Sequence, residues 1–145
     1  MQLKVKRAQK TTGLIGKTVV FCADIRAEYT AEERANINKY ALGGEVIYNS
    51  RAAAEHLERM ERQVDGSARG LLKGLGSLVL AKMNLNITIA SLQQGHHIEC
   101  KDLSELLECE EAIMNACKNL KGFLEAAATF DGREIIVDLD EQMAA

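Results

Sequence analysis

The residues whose types and spacing could do chemistry stand together in Gly95-His-His-Ile-Glu-Cys100, where imidazole, carboxylate and thiolate are all ligands for first-row metals. On a strand, alternation sends His96, Ile98 and Cys100 to one face and His97, Glu99 and Lys101 to the other. At most two of His96, His97 and Cys100 can then meet one ion without a bulge, whereas a zinc site takes three or four ligands. Cys109 and Cys117 could complete a site only if their helix crosses this strand, and their apolar stripe positions already account for them. The corner is therefore expected to be structural and metal-free, with no cofactor. It still forms the best candidate rim for a small-molecule site or an enzyme's active site.

Other catalytic patterns are thin. A nucleophilic pair could be drawn from Cys22 or Cys100 with His56, His96 or His97, but the sequence shows neither proximity nor activating surroundings. No dinucleotide, phosphate-loop, nucleophile-elbow or zinc-protease motif is present. The glycines of Gly70-Leu-Leu-Lys-Gly-Leu-Gly76 lack the preceding strand of a phosphate loop, and Glu108, Glu110 and Glu111 read as a solvated helix face. The four cysteines contain no Cys-x-x-Cys pair and are expected to be free thiols. No catalytic residue is assigned, and an enzyme is not expected.

Charge is uneven. Residues 1–17 carry Lys4, Lys6, Arg7, Lys10 and Lys17 with no acid, whereas residues 98–145 hold twelve acidic against four basic residues. The basic strand can pair with the acidic half of its own chain or of a second copy. Nucleic acid is not expected as a partner, because the net charge is −3, aromatic residues are 4% and none interleaves with the basic run. No apolar run approaches the roughly 18 residues of a membrane span, and the alternating N-terminus does not resemble a signal peptide. A soluble, cytoplasmic protein is expected.

The elements that must position these residues follow from periodicity and caps, since proline is absent. Residues 2–8 and 17–26 alternate as two strands of a hairpin around Gly13 and Gly16. In the second, Val19, Phe21, Ala23 and Ile25 share a face, and Cys22, Asp24 and Arg26 lie on the other. Thr30-Ala-Glu-Glu33 has capping-box spacing for a helix from Ala31 to about Leu42, with Gly43-Gly44 supplying its left-handed end. A short strand over 45–49 leads to a helix opened by Ser50 with Ala53, Leu57, Met60 and Val64 as its stripe. In 66–83, Gly70, Gly74, Ser77 and Ala81 form a small-residue face that suits close packing and self-association. A second hairpin is expected from Asn84–Leu92 and His96–Lys101. Asp102 or Ser104 then caps a helix striped by Leu106, Ile113, Cys117, Leu120 and Leu124 and ending near Phe130. Arg133–Leu139 reads as a last strand with Ile135, Val137 and Leu139 inward.

At 145 residues the chain is expected to be a single domain of α+β class, a two-layer fold with a mostly antiparallel sheet and helices packed on it. Its element order suggests two strand-strand-helix-strand halves. The functional expectation is an interaction or assembly module that acts as a homo-oligomer, with a different protein partner as a further option. The alternatives are a small-molecule or enzymatic site near His96-His97 and nucleic-acid binding through the basic hairpin.

Overall fold

The computed structural model describes residues 1–64 and 80–140. Strands β1 (Gln2–Thr12) and β2 (Thr18–Glu28) pair antiparallel along their whole length, from Gln2 opposite Glu28 to Thr12 opposite Thr18. Gly13 (φ 104°) and Gly16 (φ 73°) turn the chain at positive φ, which costs glycine little. Helix α1 (Ala31–Tyr40) starts with the expected reciprocal cap: the Glu33 amide donates to the Thr30 hydroxyl at 3.1 Å, and the Thr30 amide donates to the Glu33 carboxylate at 3.0 Å. Strand β3 (Val46–Asn49) runs directly into helix α2 (Ser50–Val64), whose Ala52 amide is capped by the Asn49 side chain at 3.0 Å. Beyond β4 (Asn86–Thr88) come a six-residue helix α3 (Ile89–Gln94), strand β5 (His96–Cys100) and helix α4 (Leu103–Ala127). Asp102 caps α4, accepting from the Ser104 amide at 2.9 Å.

Antiparallel strands in two sheets with helices packed on them make an α+β fold, ordered β1-β2-β5 in one sheet and β3-β4 in the other. Helix α4 crosses beneath both. Its Leu106, Cys109, Ile113, Cys117, Leu120 and Leu124 are buried and share one core with Ala23, Ile25 and Ala27 of β2, Ile98 and Cys100 of β5, and Ile87, Ile89 and Leu92. Truncating a fully buried member such as Ile113 to alanine should cost about 2–5 kcal/mol, because both the transfer energy and a cavity are lost. Tyrosine hydroxyls tie the layers: Tyr29 donates to the Ile89 carbonyl at 2.9 Å and Tyr40 to the Ala127 carbonyl at 3.1 Å.

Four expectations need correction. The second hairpin does not form: β5 pairs with β2, and β4 is a three-residue strand paired with β3. Thr88 stops β4 by exchanging side-chain to backbone hydrogen bonds with Ser91, and Ile89 and Leu92, three residues apart, then bury one face of a helical turn. The two halves consequently do not repeat an element order. Residues 133–138 belong to no strand, Leu139 and Asp140 are helical, and all of 131–140 is exposed. Helix α1 ends at Tyr40, and its left-handed residue is Ala41 (φ 54°), not a glycine. The Leu42 amide reaches the Ile37 carbonyl and the Ala41 amide the Asn38 carbonyl, the paired bonds of a Schellman end, with Leu42 and Ile37 both packed in the core.

Of the expected stripe on α2, Ala53 and Leu57 are half-buried, Met60 is 49% exposed, and the Val64 side chain lies outside the described residues. Gly70, Gly74 and Ser77 of the expected small-residue face also lie outside them. Ala81 is helical and half-buried against this chain's own core.

Candidate functional site

The β1-β2-β5 sheet has an inner face toward α4 and an outer face away from it. Register places Cys22 opposite Glu99 and Asp24 opposite His97, so four side chains from two adjacent strands meet on the outer face. His97 sits between two carboxylates, with Nδ1 2.6 Å from Asp24 Oδ1 and Nε2 2.9 Å from Glu99 Oε1. The hydrogen bonds to Glu99 and then to Asp24 raise the His97 pKa above its ordinary value. Glu99 also pairs with the Lys10 ammonium, and that contact, followed by the one to His97, holds its carboxyl below the usual range. Cys22 lies buried at the centre, 4% exposed, with Ala8 opposite it on the β1 side. Its Sγ, an imidazole nitrogen of His97 and a Glu99 oxygen all lie within 4.8 Å of one another.

The sequence-level corner is thereby divided. His96 is half-buried on the inner face, its Nε2 3.0 Å from the Ser91 hydroxyl, and burial lowers its pKa. Cys100 is buried in the core with Cys109 and Cys117, and burial pushes the Cys100 and Cys117 thiols up to about 11. His97 is brought to Cys22, Asp24 and Glu99. Alternation already put Cys22 with Asp24 and His97 with Glu99. The missing information was which strand pairs with which, and no local signal carries the β2-β5 register.

A second feature is the free edge of β1. Among the described residues only β2 pairs with it, and residues 4–12 are exposed. On its inner face, Arg7 makes a bidentate contact to Glu110 of α4, Nε to Oε1 at 3.0 Å and Nη2 to Oε2 at 2.5 Å, so that Glu110, expected on a solvated helix face, is instead 2% exposed. Lys4 pairs with Glu28 and Lys10 with Glu99, leaving Lys6 as the β1 cation without an ion pair among the described residues. Beside this edge opens an apolar cleft of about 310 Å³ lined by Arg7, Gln9, Phe21, Leu103, Leu106 and Leu107. A second concavity, about 480 Å³, lies among Lys4, Lys6, Asp24, Arg26, His96 and His97. The acidic-apolar segment Glu134-Ile-Ile-Val-Asp138 is exposed, Ile136 to 88%.

No helix among the described residues is long and apolar enough to cross a membrane. Comparison with protein-family models, with curated proteins and with solved structures finds no match to this chain.

Proposed function

We propose that this protein is a self-associating assembly module, in which residues 133–138 of one copy add as a strand to the free edge of β1 in a second copy. The observation that carries this reading is the presence in one chain of an edge strand that, among the described residues, is paired on one side and carries Lys6, and of an exposed, β-prone segment with Glu134 and Asp138 that lies in no strand. An edge strand offers a row of unsatisfied backbone groups. Lys6, the β1 cation without an ion pair among the described residues, favours an acidic strand over a second β1. In an added strand, Ile135 and Val137 would share one face and cover the apolar cleft beside Phe21, Leu103 and Leu107. Glu134, Ile136 and Asp138 would share the other face, the side on which Lys6 stands. Reciprocal exchange gives a closed two-fold dimer with two such strands.

The intrachain ion pairs of Lys4, Arg7 and Lys10 also weaken the nucleic-acid alternative, since those cations already face carboxylates. Sedimentation equilibrium tests the proposal. The full chain should be dimeric at tens of micromolar, and Ile135→Asp with Val137→Asp, both exposed in the monomer, should render it monomeric without loss of helical signal. A monomeric parent chain, or a dimer indifferent to the double substitution, refutes it.

A second reading, a small-molecule site near His96-His97, is favoured by the 480 Å³ concavity that both histidines line. Lys4, Lys6 and Arg26 around it suit an anionic molecule, although Glu28 faces both Lys4 and Arg26. Calorimetric titration with inorganic phosphate and simple dicarboxylates, with Lys6→Gln as the control, tests that reading.

A further inference from the structure

We infer that Cys22, His97 and Glu99 form a binding site for one divalent transition ion of the zinc class on the outer face of the β1-β2-β5 sheet, with Asp24 as the residue that positions His97. Three facts carry this. The three ligand atoms lie within 4.8 Å of one another. A tetrahedral zinc, with bonds of about 2.3 Å to sulfur and about 2.0–2.2 Å to nitrogen and oxygen, holds its ligand atoms roughly 3.3–3.7 Å apart. Side-chain rotation of about an ångström therefore closes the site, and the paired strands need not move.

The second fact is the hydrogen bond at 2.6 Å between His97 Nδ1 and Asp24 Oδ1. A carboxylate on Nδ1–H fixes the tautomer in which Nε2 carries the lone pair, the outer arrangement common behind metal-bound histidines. Nε2 faces Glu99 Oε1 at 2.9 Å, so the metal takes the place of a proton between them. The third fact is the donor set. One thiolate, one imidazole and one carboxylate suit zinc or cobalt better than magnesium or calcium, which take all-oxygen shells. Binding releases the Cys22 thiol proton and the proton shared by His97 and Glu99. Three protein ligands leave a fourth position for water, on a side where His97 and Glu99 are both exposed.

Lys10 is the built-in competitor, because its ammonium occupies a Glu99 oxygen. Lys10→Gln should tighten binding severalfold, a result that a merely structural cluster would not give.

The test is titration of the full chain with Co²⁺, followed by the thiolate-to-cobalt charge-transfer band and by competition with Zn²⁺. The expected result is saturation at one equivalent and loss of the band in Cys22→Ser. Glu99→Gln and His97→Gln should weaken binding tenfold or more, and Asp24→Asn about 10–100-fold. Cys100→Ser and His96→Gln should leave it unchanged. If Cys22→Ser does not fold, the exposed His97→Gln and Glu99→Gln decide the matter. Absence of a saturable band, a band lost with Cys100→Ser, or affinity unchanged in both exposed variants overturns the assignment.

Discussion

Ser50→Ala should remove the hydrogen bond that extends the β3-β4 pairing by one rung. Ser50 is 1% exposed, its amide donates to the Leu85 carbonyl at 2.9 Å, and its hydroxyl accepts from the Leu85 amide at 2.9 Å. The hydroxyl stands in for the carbonyl of the next rung, extending the ladder one step past Asn49 opposite Asn86. Alanine leaves the Leu85 N–H without an acceptor, a loss of about 1–3 kcal/mol in a buried setting. Leu85 is half-buried, so water can partly replace the hydroxyl, and alanine's better helix propensity at the start of α2 returns up to about 0.5 kcal/mol. The net expectation is about 1–1.5 kcal/mol, roughly 3–6 °C in the thermal midpoint of a domain this size. Urea unfolding reads the stability, and amide exchange at Leu85 reads the bond itself. Unchanged stability together with unchanged protection of the Leu85 amide would refute the hydrogen bond from that amide to the Ser50 hydroxyl.

Three further outcomes follow from the same geometry. Ala41→Gly should stabilise the protein by about 0.5–1 kcal/mol in urea unfolding, because Ala41 holds φ 54° where glycine is unstrained; a destabilised variant would contradict the left-handed helix end. Burial works to raise the Glu33 carboxyl, but hydrogen bonds to the amino group of Met1 and to Thr30 outweigh it and hold the pKa below the ordinary carboxylate value. Stability from Glu33 is thus present above its unfolded pKa of about 4.3 and is lost as pH falls through the lower folded pKa; Glu33→Gln should flatten that part of the acid limb. Cys109 and Cys117, buried with raised thiol pKa values, should resist iodoacetamide at pH 8 in the folded state and react on unfolding; labelling of either in the native protein would contradict the core assignment.

Local signals carried much of the fold. The capping box at Thr30, the Asp102 cap, the stripe of α4 and the Gly13–Gly16 turn each lie within a few residues of the element they specify, and each is found in the structure. What local signals could not carry was the choice of partners. Leu85, Ile87 and Ile89 fit a strand by alternation, but Ile89 and Leu92 fit a helical turn equally well, and the Thr88-Ser91 cap decides for the turn. Likewise, Ile135, Val137 and Leu139 alternate as a strand should, but no partner strand is found for them among the described residues. On β2 both faces bury residues: Ala23, Ile25 and Ala27 face α4, whereas Val20 and Cys22 are covered on the outer face. Alternation predicts one buried face, but on the central strand the neighbouring strands flank Val20 with Lys10 and Cys22 with Ala8 and Glu99. The meeting of Cys22, Asp24, His97 and Glu99 depends on that same pairing.

In the proposed dimer, residues 133–138 of one copy lie against β1 of another. The direct measurement is an isotope-filtered nuclear Overhauser experiment on a mixture of labelled and unlabelled full-length chains. Contacts between the β1 amides of one chain and the methyl groups of Ile135, Ile136 and Val137 of the other are the predicted result. A dimer without those intermolecular contacts, or a chain that stays monomeric at tens of micromolar, contradicts strand addition at β1.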